Sequence, residues 1–130
     1  MNHLKVKKIV INIFKNFKLK EAHAKISAEY LIKAELLGAP SHGLSRLKMY
    51  CERINKKIIN PNPKIKIKKI SQSISHIDAN NGIGFVAADF GIKVAIKNAK
   101  KTGIGLVAVK NSGHYGLSSF YAEQAVKKKL

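Results

Sequence analysis

The sequence is short of cysteine, arginine, acid and long apolar runs. Cys51 is the only cysteine in 130 residues, so no internal disulfide can form. A small domain stapled by disulfides is excluded, and the reading favours the cytoplasm. No apolar run approaches the roughly 18 residues that a membrane span needs. The start, Met1-Asn2-His3-Leu4-Lys5-Val6-Lys7-Lys8-Ile9-Val10, mixes lysines with single apolar residues. It has neither a continuous apolar core nor a small-residue cleavage site, so it does not read as a signal peptide. Seven acids stand against 25 lysines and arginines, a formal net charge of +18. Such an excess points to an acidic partner, nucleic acid or a membrane surface. Only Arg46 and Arg53 are arginines, however, and sequence-specific readers favour the arginine fork over the lysine point charge. The lysines run from end to end with many isoleucines and asparagines, as an AT-rich coding sequence would produce. A basic nucleic-acid-binding module without catalysis is therefore kept as the alternative reading.

A hydrophobic content of 45% argues for a globular chain, and 130 residues suffice for one modest core. Residues 20–37 read as a helix: Ala24, Ala28, Leu31, Ile32 and Glu35 keep the helical spacing and Gly38 stops it. A second helix is expected from about Ser41, a fair cap behind Pro40, to Ile54. Asn60-Pro61-Asn62-Pro63 is a loop. Residues 65–70 alternate and residues 74–77 follow a polar break, which suggests two strands. After the turn-rich Asp78–Gly84, an apolar stripe of Phe85, Ala88, Ile92, Ala95, Ile96 and Ala99 predicts a long helix closed by Gly103. Ile104–Val109 is a buried strand by composition, and a last helix is expected over about Ser118–Lys128. The fold class is α/β: a helical segment over 1–60, followed over 61–130 by the start of a mixed sheet domain.

Two places carry chemistry. At about 100° per residue, the expected helix over Ser41–Ile54 puts Leu44, Leu47, Cys51 and Ile54 on one side. His42, Arg46 and Tyr50, spaced i, i+4, i+8, fall opposite. A solvated face in this chain would normally be lysine and glutamate. An arginine kept amid so many lysines suits a site that needs a bidentate fork on a carboxylate. A solvated face with chance spacing remains the other reading. The second place is Asn111-Ser112-Gly113-His114-Tyr115-Gly116, directly after an expected strand. Glycines let backbone approach a ligand, ligands gather at the carboxyl ends of strands, and histidine can exchange protons near neutrality. A turn histidine without a role is equally open.

Gly82-Ile83-Gly84-Phe85-Val86-Ala87 fits G-x-G-x-x-A, a weak dinucleotide fingerprint. A Rossmann unit wants an acid about 20 positions further on, at the end of the next strand. None lies between Asp89 and Glu123, so the turn reads as packing. The same segment imitates an RNA-binding sheet motif, but Ile83 and Ala88 stand where stacking aromatics belong. The histidines lack metal-ligand spacing, and no G-x-S-x-G occurs.

Leu37-Gly38-Ala39-Pro40-Ser41-His42-Gly43, continuing through Arg46 and Tyr50, resembles the signature of the malate/L-lactate dehydrogenase family of the second type. That family includes ureidoglycolate and related 2-ketoacid oxidoreductases and is not Rossmann-folded. Asp78, Gly82 and Gly84 fill its Asp-x-x-x-Gly-x-Gly turn; Asn111, Ser112, His114 and Gly116 fill its Asn-Ser-x-His-x-Gly loop. The resemblance runs from about Phe17 to Ala125. It implies that His114 exchanges the proton of the substrate hydroxyl. It implies that His42 and Arg46 hold and polarise the carboxylate of a small 2-hydroxy or 2-keto acid, that Tyr50 lines the pocket, and that Ser41 is a polar neighbour. Hydride would pass to or from NAD or NADP. Family members are more than twice as long. The resemblance therefore implies a truncated fold with most of the cofactor site beyond Leu130, a homodimer when complete, and a complementing C-terminal fragment as a partner.

Overall fold

The computed structural model describes residues 2–130, which fold as two compact units, Met1–Asn62 and Pro63–Leu130. In the first, helix α1 (His3–Asn16) packs against α2 (Glu21–Leu36). The Asn2 side chain caps α1 by accepting from the Leu4 N–H at 2.9 Å. The α1 helix is not among the expected elements, because lysines crowd its sequence. Its signal is Val6, Val10 and Phe14 at i, i+4, i+8, of which Val10 and Phe14 are buried. Ala24, Ala28 and Leu31 of α2, the helix that α1 packs against, are fully buried as well. Full burial of Phe14 and Leu31 contributes roughly 1.5–3 kcal/mol each. Gly38, at φ 72°, ends the turn after α2 as expected.

The expected second helix is corrected. Pro40–His42 and Leu44–Arg46 are two short 3-10 turns, and the α-helix proper, α3, is Leu47–Asn55. The cause lies in the backbone accounting. Pro40 carbonyl accepts from the Gly43 N–H at 3.1 Å and the Ser45 hydroxyl at 2.6 Å. The Leu44 N–H donates instead to Glu35 Oε1 at 2.6 Å. Gly43, at φ −97° and ψ −138°, breaks the helical path. The stripe of His42, Arg46 and Tyr50 on one α-helical face does not form. Ser41 makes no capping bond; Ala39 precedes the first turn and Pro40 opens it.

In the second unit the sheet order is β1-β2-β3, with β1 (Lys66–Lys69), β2 (Ile74–Asp78) and β3 (Leu106–Lys110). β1 and β2 pair antiparallel, and β2 pairs parallel with β3 through the crossover helix α4 (Gly84–Thr102). Asn98 ties α4 to β2 by donating to Ser75 Oγ at 3.2 Å. Helix α5 (Ser119–Val126) packs on α4, where Gln124 reaches Asp89 at 3.4 Å. The buried part of α4 is its N-terminal half, including Phe85, Val86 and Ala87. β3 is not the buried strand its composition suggests: Leu106, Ala108, Val109 and Lys110 are exposed. It has a neighbour on one side only.

Candidate functional site

Unit one brings Ser41, His42 and Arg46 together. The Arg46 Nε–H donates to the Ser41 carbonyl at 2.7 Å, and Ser41 Oγ lies 3.0 Å from His42 Nδ1. The two 3-10 turns thus fold the Ser-His-Gly-x-x-Arg stretch on itself. The guanidinium of Arg46 is exposed and His42 is half-buried. A cation and an imidazole at the surface, oriented through Ser41, can take an anion in a defined pose. Glu35 is the residue that sequence reasoning missed. Its carboxylate receives the Leu44 N–H, and a Cβ on Gly43 would strike it. The available signal was an acid among the apolar positions of α2, which on that face needs a donor.

Tyr50 is placed differently from expectation. It is buried, 1% exposed, on the same side of α3 as Cys51 and Ile54. Burial raises its pKa strongly, with Arg53 and Arg46 opposing the shift. Its hydroxyl stays protonated at any ordinary pH.

Unit two holds His114, half-buried in the loop after β3. Asp78 organises that loop. Its Oδ1 accepts from Asn80 N–H at 2.9 Å and from Asn111 Nδ2 at 3.0 Å, and Asn81 N–H donates to the Asn111 carbonyl at 2.8 Å. Asn80, Asn81 and Asn111 all take positive φ, which asparagine tolerates better than most side chains. The Asn111 bond, then the Asn80 N–H, hold the Asp78 carboxyl below its ordinary pKa. Further along, Tyr121 donates to the Tyr115 carbonyl at 2.5 Å, and Tyr115 and Ser118 hydroxyls lie 3.1 Å apart. A cleft of about 530 Å³ runs beside the loop, walled by Ala88, Val107, Val109, Asn111, Ser112 and Tyr115 among others.

The glycine turn before α4 does not fit a dinucleotide phosphate. A Cβ on Gly84 would collide with the carbonyl oxygens of Gly113 and His114. Those carbonyls lie on the helix start, where an anion would need open N–H groups. The second glycine of G-x-G-x-x-A serves the close approach of the His114 loop.

The sequence pattern of the malate/L-lactate dehydrogenase family matches residues 1–130. The chain belongs to this family. It is 42% identical over 118 residues to a malate dehydrogenase of Pyrococcus abyssi, covering 91% of this chain and 33% of that one. It is 38% identical over 124 residues to an L-sulfolactate dehydrogenase of Methanocaldococcus jannaschii, covering 95% and 36%. The solved malate dehydrogenase of Pyrococcus horikoshii superposes with a TM-score of 0.95 at 36% identity, over 98% of this chain and 37% of that one. The chain spans about a third of the length of the curated relatives it matches. The fold is the N-terminal part of such dehydrogenases. No helix among the described residues is long and apolar enough to cross a membrane.

Proposed function

We propose that this chain supplies the substrate-binding and proton-exchanging part of an NAD(P)-dependent dehydrogenase of small 2-hydroxy acids. The observation that carries the reading is the Ser41–His42–Arg46 cluster, folded by Glu35 into an exposed cation-plus-imidazole group. Arg46 binds the substrate carboxylate through its fork, and its Nε–H bond to Ser41 fixes the plane of that fork. His42 hydrogen-bonds the polar end of the same acid. His114 accepts the proton of the C2 hydroxyl, which becomes acidic as hydride leaves C2, and returns it in the reverse direction. Tyr50, buried and protonated, supports this segment from the core. The hydride partner is NAD or NADP, held chiefly by parts of the fold that the longer relatives possess. The relatives named for malate and sulfolactate support a substrate with a second anionic group, which the lysine excess also suits. A homodimer and a complementing C-terminal polypeptide belong to the same proposal.

The test joins this chain covalently to the C-terminal portion of the Pyrococcus horikoshii malate dehydrogenase and follows reduction of oxaloacetate, pyruvate and sulfopyruvate by NADH and NADPH. Arg46→Lys keeps the charge but loses the fork. It is expected to raise KM for the keto acid roughly tenfold or more, in line with the energy of a charged hydrogen bond. A silent Arg46→Lys would remove the carboxylate role. The net charge of +18 favours a second reading, binding of nucleic-acid phosphates. A steep loss of DNA or RNA binding with added salt, without keto-acid reduction in the joined protein, would support it.

A further inference from the structure

The sheet face that α4 covers carries a polar cleft at one end of β2, while Asp78 organises the His114 loop at the other end. Residues paired across neighbouring strands share a face, and so do residues two apart along a strand. Lys69 of β1 pairs with Ser75 of β2, and Ile67 pairs with Ile77. Ile77 lies under α4, since a Cβ on Gly91 of that helix would stand 3.9 Å from its side chain. Lys69 and Ser75 therefore project towards α4, and Lys66 and Lys68 project from the opposite face. On α4, Lys97 and Lys101 stand one turn apart on one side. Together with Gln72 and Asn98 these side chains wall a cleft of about 410 Å³. Its floor includes Ser75, only 2% exposed. The Ser75 oxygen accepts from Asn98 Nδ2 at 3.2 Å, but its own proton has no acceptor among the described residues. A buried donor left unused costs free energy that a ligand oxygen would recover. The three lysines are unmatched as well. The acids of this unit are Asp78, Asp89 and Glu123, and they pair with Lys110, Lys93 and Lys127. No ion pair among the described residues includes Lys69, Lys97 or Lys101.

We propose that this cleft binds a small molecule through its phosphate groups, with Lys69, Lys97 and Lys101 neutralising the charge and the Ser75 hydroxyl donating to a phosphate oxygen. Two simpler accounts fall short. Lysines in the last turn of a helix complement its dipole, which explains Lys101, but Lys97 lies a turn earlier and Lys69 belongs to another element. Lysines on an edge strand oppose pairing with another chain, and Lys66 and Lys68 already serve that purpose. The C-terminal end of α4 carries only about half a negative charge, which three cations outweigh. Phosphate is favoured over carboxylate because the cations are ammonium groups. They act as point charges on a dianion, whereas a carboxylate site gains from the arginine fork. Ile67, 49% exposed, and Val94 add an apolar wall for the carbon body of a phosphate ester. The cleft uses none of Ser41, His42, Arg46 or His114, so it stands independently of the dehydrogenase reading.

The experiment titrates pyrophosphate, ribose 5-phosphate and citrate into the purified chain by calorimetry at physiological salt. At least one of the two phosphate compounds is expected to bind, with citrate about tenfold weaker or more. Tighter binding of pyrophosphate assigns an inorganic ligand, and tighter binding of ribose 5-phosphate assigns an organic ester. Lys69→Gln, Lys97→Gln and Lys101→Gln should each weaken binding about fivefold or more. Lys68→Gln removes the same charge from the opposite face of β1 and should change it less than about twofold. Ser75→Ala should weaken binding about fivefold as well. If that variant does not fold, the lysine series decides, because those side chains are exposed. Equal losses from Lys68→Gln and Lys69→Gln would mean diffuse attraction and would overturn the cleft. Citrate bound as tightly as either phosphate compound would overturn the phosphate assignment. Failure of both phosphate compounds to bind would overturn the proposal, and so would binding of single-stranded RNA weakened equally by all four lysine variants, which would mark a nucleic-acid surface instead.

Discussion

Replacing Gly84 by alanine tests whether the start of α4 positions the His114 loop. A Cβ at Gly84 would sit 2.5 Å from the Gly113 carbonyl oxygen and closer still to that of His114, where ordinary contact begins near 3.4 Å. Both obstacles are backbone, so the loop must retreat by about 1 Å. Overpacking of this kind costs about 1–3 kcal/mol. Alanine returns up to about 1 kcal/mol through helix propensity, less at a first helical residue. The net expectation is destabilisation of about 1–2 kcal/mol, read as a lower urea midpoint with unchanged slope. In the covalently joined enzyme, a 1 Å displacement of His114 from its proposed proton-exchanging position should lower kcat/KM about 100-fold. Gly43→Ala is the comparison. Its Cβ would meet the Glu35 side chain, which can rotate away, so activity should suffer more than stability. An unchanged or raised midpoint for Gly84→Ala, with full activity, would refute the argument.

Glu35→Ala removes the acceptor of the Leu44 N–H and should destabilise the chain by about 1–3 kcal/mol in urea unfolding, with Glu35→Gln retaining most of the loss-free behaviour through its amide oxygen. Burial, then Lys20, lower the pKa of His23 from its ordinary 6.5, and its Nδ1 is buried without a hydrogen-bond partner. The unfolded chain therefore binds this proton more readily, so the contribution of His23 is complete above its ordinary value and is lost as pH falls through the folded value. Thermal unfolding should show Tm dropping as pH falls below the ordinary value of 6.5, and His23→Gln should flatten that slope. Asp78→Ala should speed amide exchange across residues 111–116 by releasing Asn111 and Asn80, while the α1 and α2 amides stay as slow as before.

Much of the helical content was legible because it is local. Ala24, Ala28 and Leu31 repeat at helical spacing before Gly38, and α4 ends at Gly103 in the left-handed conformation its composition predicts. Asn111-Ser112-x-His114 could be singled out from residue chemistry and spacing alone. The bend in the Ser41–Arg46 stretch could not. It depends on Glu35, nine residues earlier, reaching the Leu44 N–H, and helical periodicity does not register a side chain that takes a backbone donor from another element.

By itself the sequence determined the family and the order of most helices and strands, and it singled out the residues proposed for carboxylate binding and proton exchange. Tertiary structure alone decided the environment of those residues. Tyr50 went to the core because it stands one turn before Ile54 on α3, about 40° from it around the helix, so the face that buries Cys51 and Ile54 buries Tyr50 as well. β3 remained exposed because burial of an apolar strand requires neighbours on its faces and edges, and composition records only the capacity to be buried. Gly84 acquired its purpose from the carbonyls of Gly113 and His114, some thirty residues away in sequence and in contact only once the sheet has formed.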